Sequence, residues 1–441
     1  MPLASPLIET KIVQNGSVQT KYNAKDIMKR LNVKTWLIAL LALGALTACD
    51  MMKEDLDDCP TGLYVNFVYD YNIQRADMFK DHVGTVTLYV YDESDQMVAQ
   101  KSMSGDRLTH YGSYIHFTEQ ELAPGHSYRL MAVAFQRDAL SASGAKYRLS
   151  GNNIGDQWNQ FFVTLDHSTT RLPANYYVSN AAPLDTLWHT LTTVVSPVES
   201  QPMEVTPASL TPARCEYSWQ RDGSIKTNGQ ETVTLVCGEP TYATVALIRD
   251  TKHLNITLRS IDNEKEEDNM VNYEDFTVEI VDNNAQLDCR NNLSAPQDTL
   301  RYTPYQQWNT KFVGNGEVAS EQAAHYDLMF NRLVYKNASV TEDQYAILDE
   351  ADIAKARNAV LLIRKKDTGD IVFGINLPYI LSSGRTYQER YYHYQEYLDR
   401  EYDYRLQFIL KGGRVDELDL YIGTEVHIVP WTVRQQHENL E

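Results

Sequence analysis
The chain has 441 residues, of which 43% are hydrophobic and 22% charged, with a formal net charge of −19. So acidic a surface repels phosphate backbones and anionic headgroups, which excludes nucleic-acid binding as a main role. The length allows two or three domains with full cores, and 29 tyrosines against 11 phenylalanines suit half-buried pleated surfaces.

Residues 1–48 read as an upstream extension and a lipoprotein signal peptide. Lys29, Arg30 and Lys34 form a basic flank, and Met28 just ahead of them offers an alternative start. The run Trp36 to Ala48 is apolar but too short to span a bilayer, the layout of a secretory leader. Leu46-Thr47-Ala48-Cys49 closes it as a lipobox, so cleavage is expected between Ala48 and Cys49, with Cys49 becoming the acylated first residue. Several acyl chains on one cysteine suffice for stable membrane attachment. The leader carries +4, which leaves −23 on residues 49–441. Residues 49–58 form an acidic tether without apolar period. Its Lys53-Glu54-Asp55 resembles the signal that sends some lipoproteins to the outer face of the outer membrane, with a plain charged linker as the alternative.

Alternation begins at Cys59 and predicts an N-terminal β-sandwich over 59–195. Leu63, Val65, Phe67 and Tyr69 share one face of a strand, Val86, Leu88 and Val90 repeat it, and Asp92-Glu93-Ser94-Asp95 is a turn. A third run places Tyr128, Leu130, Ala132 and Ala134 opposite Arg129, Met131, Val133 and Phe135. Residues 196–240 read as a Pro-rich linker and a strand pair, with Pro197, Pro202, Pro207 and Pro212. A C-terminal β-sandwich is expected over 241–441, from Val245 and Leu247 through Leu254, Ile256 and Leu258 to Phe276, Val278 and Ile280. Short helices are expected at Ala351 to Asn358 and Thr386 to Leu398, and strands at Tyr404 to Lys411, Glu417 to Ile422 and Glu425 to Val433. The fold class is all-β: short antiparallel strands in two sandwiches, with helices confined to loops.

Besides Cys49 the chain holds Cys59, Cys215, Cys237 and Cys289, none with C-x-x-C spacing. Cys215 and Cys237 are the candidate disulfide, since turns at Asp222-Gly223 and Asn228-Gly229 could bring two strands together; free thiols are the alternative. No catalytic signature occurs: there is no G-x-S-x-G elbow, H-E-x-x-H helix or phosphate loop. His393 and Glu396 sit at i, i+3 spacing without a third ligand, so neither metal nor cofactor is expected.

Several segments in order resemble the FimB-like anchor subunits of type V fimbriae. They are Cys59-Pro60-Thr61-Gly62-Leu63-Tyr64-Val65-Asn66-Phe67, Val86-Thr87-Leu88-Tyr89-Val90-Tyr91-Asp92 and Leu122-Ala123-Pro124-Gly125-His126-Ser127-Tyr128-Arg129-Leu130. Nearer the end come Gln395-Glu396-Tyr397-Leu398-Asp399-Arg400-Glu401 and Ile428-Val429-Pro430-Trp431-Thr432-Val433. The resemblance implies two tandem transthyretin-like domains, lipid-anchored on the outer membrane at the base of a fimbrial fibre, tethering shaft subunits and limiting fibre length. Such fibres join by strand complementation, so Val426, Ile428, Trp431 and Val433 of the last strand are the candidate subunit interface; the alternative is that they only complete the second sandwich. Pro430 there predicts a bulge or an edge. The rival reading is a surface glycan-binding β-sandwich lipoprotein, with Trp158, Trp188, Trp219 and Trp308 as candidate sugar platforms.

Overall fold
The computed structural model describes residues 60–428 apart from 110–113, 137–146, 169–175, 179–180, 203–204, 207–208, 221–223, 261–268, 295–298, 314–318, 337–350, 352, 354–355, 384–391, 412–413 and 423, with backbone only from 411 onward. The period-two segments form strands whose apolar faces close two cores. The first sheet runs in the order β3 (Met97–Ser104), β2 (Thr85–Tyr91), β5 (Ser127–Phe135), β10 (Leu187–Ser196), β14 (Pro240–Arg249), β1 (Gly62–Val68), β4 (Tyr114–Phe117), with β13 (Val233–Thr234) paired to β5. Only β1 and β14 run parallel, from Gly62↔Pro240 to Val68↔Ala246. Leu63, Val65 and Phe67 meet Val86, Leu88, Leu130 and Ala132 in one core with Trp188 and Val245, so the two ends of the sheet curl toward each other.

A three-stranded sheet, β17 (Gln286–Asp288), β7 (Phe162–Leu165) and β6 (Tyr147–Ser150), covers the back of β2 and β5. Tyr89, Tyr91, Met131, Val133 and Phe135 pack there against Trp158, Phe161, Val163 and Leu287. Being buried on both faces, β5 is apolar at both parities.

The second sandwich faces the sheet β19 (Gln306–Val313), β20 (Ala319–Asn331), β15 (Thr251–Ser260), β23 (Asp403–Lys411), β24 (Arg414–Ile422), β25 (Thr424–Ile428) against a second one. The latter is β22 (Ile371–Asn376), β21 (Val360–Lys365), β16 (Phe276–Asp282), β18 (Leu300–Tyr302), β9 (Tyr176–Val178), β8 (His167–Ser168). Between them lie Ile256, Tyr326, Phe408, Ile280, Tyr302 and Leu361. The molecule is thus all-β and built from sandwiches, as expected, with short helices between strands.

The expected boundaries need correction. Pro240–Arg249 belongs to the first sheet, where Val245 and Leu247 fill the first core, so the second sandwich begins with Thr251 rather than at 241. β8 and β9, from the segment read as N-terminal, extend a sheet of the second sandwich, while β17 crosses the other way. Each supplies ladder bonds to an edge that its own sandwich does not offer. The Pro-rich stretch is a loop clasped to β14 rather than an interdomain linker. Gln201 exchanges two hydrogen bonds with the Thr211 backbone (2.9 and 3.1 Å), and the Ala213 N–H donates to Thr244 Oγ1 (2.7 Å).

Nor is the expected Cys215–Cys237 bond formed, since both are free thiols. The strand pair is real, β11 (Tyr217–Trp219) with β12 (Ile225–Thr227), but its ends diverge. Cys215 is buried beside Val68, Val194 and Ala246, whereas Cys237 is exposed beyond β13, which pairs with Tyr128 and Ser127. The tyrosine-rich helix spans Tyr394–Arg400, later than read, with the His393 ring accepting from the Gln395 N–H at its N-cap; the expected residues 386–391 lie outside the described residues. A second helix, Leu377–Ser383, carries no signal read from the sequence.

Candidate functional site
The lipobox residues Ala48 and Cys49, the Lys53-Glu54-Asp55 cluster, and Trp431 and Val433 lie outside the described residues. Val426 and Ile428 fall in β25, described by its backbone. Among the described residues β25 is the last strand of its sheet and pairs with β24 alone. The register runs Ile428↔Leu418↔Phe408↔Leu258 and Val426↔Leu420↔Leu406↔Ile256. Leu258, Ile256, Leu406 and Phe408 are all core residues, so both candidate interface positions occupy core-side rows at an edge with no further partner among the described residues. By contrast β1 is paired on both sides and buried along its whole length.

A polar site that sequence reading missed lies where the sandwiches meet. β14 ends at Arg249, Asp250 turns the chain, and β15 starts at Thr251. Asp250 is wholly buried, its carboxylate bound to His189 Nδ1 (2.8 Å) and to the Asn291 amide (2.7 Å). Along β15 the core-side residues Leu254, Ile256 and Leu258 alternate with His253, Asn255 and Thr257. Cross-strand register sets Asp403 opposite His253 and Asp327 opposite Asn255. His253 Nδ1 lies 2.6 Å from Asp403 Oδ1 and Nε2 3.5 Å from Asp327 Oδ1, while the Asn255 amide donates to Asp327 (2.7 Å). Burial alone would lower the His253 pKa, but the hydrogen bonds and charges of Asp327 and Asp403 overcome it and raise it to about 9. Burial acts upward on Asp327, yet the bonds from His253 and Asn255 hold it below the usual range. The hydrogen bond from His253 depresses Asp403 in turn.

Beside this triad Arg249 is only 8% exposed. Its Nε donates to the Thr251 carbonyl (2.9 Å), and its guanidinium stacks 4.0 Å from the Tyr402 ring centroid, with Trp188 at 5.7 Å. Among the described residues no carboxylate pairs with it. These groups open on a cavity of about 560 Å³ lined also by Gln136, Thr186, Tyr305 and Arg405. That volume falls within the range of small-ligand sites.

The tryptophans read as sugar platforms are largely committed elsewhere. Trp188 and Trp158 are buried, and Trp219 stacks on His393 (5.4 Å) and donates to the Tyr71 hydroxyl (2.6 Å). Trp308 is half-buried and stacks on His325 (5.0 Å). Glu396 accepts from Arg400 (2.9 Å), and no group of three or more His, Cys, Asp or Glu is placed to hold a metal among the described residues. No helix among them is long and apolar enough to cross a membrane.

The family model of the fimbrillin-A associated anchor proteins Mfa1 and Mfa2 matches residues 56–213 and 228–437. Among solved structures, a candidate polysaccharide-binding protein from Bacteroides thetaiotaomicron is 21% identical, with 83% of this chain and 97% of that one covered and a TM-score of 0.54. A candidate adhesin from the same organism is 20% identical over 82% of this chain and 96% of its own, at a TM-score of 0.56. The fimbrial anchor protein Mfa2 from Porphyromonas gingivalis is 13% identical over 84% and 99%, at 0.49. No curated protein sequence matches the chain.

Proposed function
The chain belongs to the family of fimbrillin-A associated anchor proteins Mfa1 and Mfa2, and from that premise we propose that it holds the base of a fimbrial fibre at the outer membrane. In this reading it is a lipoprotein acylated on Cys49, and it limits fibre length through a strand-mediated contact with shaft subunits. The family is one of structural fimbrial proteins, not of enzymes. The observation that carries the reading is the unequal state of the first and last described strands. β1 is locked between β14 and β4, whereas β25 leaves one row of backbone groups without a partner among the described residues. An added strand satisfies such a row.

Two experiments test it. Cys49→Ala is expected to shed fibres into the medium, and fibres that stay cell-bound in that variant overturn lipid anchoring. A photo-crosslinking residue at His427, in β25, is expected to capture a shaft subunit on intact cells, while the same residue at Thr244 of the internal β14 is not. Normal fibres without capture at 427 remove β25 from the contact. Charged substitution of Ile428 and Trp431 gives a second readout: a folded variant with attached fibres of normal length counts against the interface.

A second reading, glycan binding, is favoured by the junction cavity, with its aromatic rings and hydrogen-bonding side chains. The Bacteroides thetaiotaomicron protein described as a candidate polysaccharide binder is in keeping with it. Glycan array binding that Tyr305→Ala abolishes supports this reading; no retention of any glycan overturns it.

A further inference from the structure
Arg249 presents a problem in charge balance. A guanidinium stays protonated in proteins and is costly to bury unpaired. This one is 8% exposed, and a single backbone carbonyl accepts from its Nε. The Tyr402 and Trp188 rings lie 4.0 and 5.7 Å from it, and the charges of Asp403 and Glu401 reach it without an ion pair or a hydrogen bond to its Nη groups among the described residues. A planar guanidinium fork held in this way matches a carboxylate bidentately. The neighbouring charges do not replace that partner. Asp327 and Asp403 are engaged by His253, Arg405 lies 3.9 Å from Asp403, and Glu401 accepts the N–H groups of Tyr402 and Asp403.

We infer that the junction cavity takes the carboxylate of an acidic sugar, a uronate unit of a glycan, on Arg249. The rest of the lining selects a sugar over an acidic peptide. The carboxylates of Asp327 and Asp403 can also accept hydroxyl protons. Asn255 and Gln136 add neutral polar groups, and Tyr305 offers a half-buried ring to a pyranose face. A uronate unit, with one carboxylate and several hydroxyls, meets all of these groups at once. The inference rests on the second reading above, that the cavity takes a glycan, and is independent of anchoring.

Calorimetry on the full chain with digalacturonate and its neutral counterpart, galactobiose, is the test, with a glutamate-containing tripeptide as the third arm. The expected result is at least tenfold tighter binding of digalacturonate than of galactobiose. Arg249→Gln should erase that preference, and Tyr305→Ala, at a half-buried position that leaves Arg249 in place, should weaken both sugars tenfold or more. Equal affinities for the two sugars overturn the carboxylate assignment and leave the glycan reading standing. Binding of the tripeptide alone, or of none of the three, overturns both. Digalacturonate binding that neither variant changes puts the sugar elsewhere and overturns the site.

Discussion

Lys252 and His253 are consecutive residues held in opposite electrostatic regimes. Burial pushes the Lys252 ammonium down to about 7, although it donates to the Asp399 and Glu401 carbonyls (2.9 and 2.8 Å). His253 is raised to about 9 by its two carboxylates. The signs follow from linkage. A raised histidine contributes stability that is complete below its unfolded value near 6.5 and lost as pH climbs through 9. A depressed lysine carries a folding penalty below 7 that is relieved as pH rises from 7 toward 10.5. Between pH 7 and 9 the two oppose each other, so the whole protein should show a shallow profile there. His253→Gln should unmask stability rising with pH, and Lys252→Met stability falling, each by roughly 2 kcal/mol across the window. Urea midpoints at pH 7 and 9 measure this; a His253→Gln slope equal to the parent's would refute the assignment. None of it was legible in the sequence. His253 and Asn255 stand out as polar positions alternating with Leu254, Ile256 and Leu258, but their partners Asp403 and Asp327 are named only by strand register.

At the scale of the element, the apolar alternation of β1, β2 and β5 was readable because each strand turns one parity toward the first core. The turn after β2 was readable as well: Asp92 Oδ1 accepts from the Ser94 and Gln96 N–H groups (2.9 and 3.0 Å). What the pattern hid was which sheet a strand joins, since period two states a face and not a neighbour. Hence Val245 and Leu247 were read with the later strands, though β14 zips to β1. Gly62 shows how tightly β1 is seated. Its φ is +81°, and a Cβ there would lie 2.2 Å from the Phe117 carbonyl oxygen of β4. Gly125 has the same φ of +81° with nothing within 4 Å. Gly125→Ala should therefore cost only the left-handed backbone term, about 1 kcal/mol, whereas Gly62→Ala adds a clash with backbone and should cost about 3 kcal/mol or more. Thermal unfolding of the two variants side by side tests this; equal losses would mean that β4 yields and that β1 is not held as described.

For the whole molecule, the crossing of strands between the sandwiches decides how it unfolds. β9, with β8 on its far side, leaves the first sandwich to pair with β18, and β17 returns to cover Tyr89 and Met131 with β7. Leu165, Val178 and Leu184, all earlier in the chain than β10, sit in the second core. Neither sandwich can lose its fold without stripping ladder partners and apolar cover from the other. The buried polar knot at the junction adds to this coupling. Arg332 binds Asp399 through both arms (2.7 and 2.8 Å), and Asn284 and Asn331 hydrogen-bond each other's backbone. Such a network is costly to break from one side only. Two tandem domains joined by a linker, the arrangement expected from sequence, would unfold in two steps. The observed arrangement instead predicts one calorimetric transition, with van't Hoff and calorimetric enthalpies in agreement. It also predicts that a fragment of residues 60–249, cut where the second sandwich begins, is poorly soluble, because it exposes the Tyr89 and Met131 face once covered by β17 and leaves β9 without β18. A resolved pair of transitions, or a folded 60–249 fragment with native-like near-ultraviolet dichroism, would show that the exchanged strands are ornament rather than the joint on which pulling force between β1 and β25 must pass.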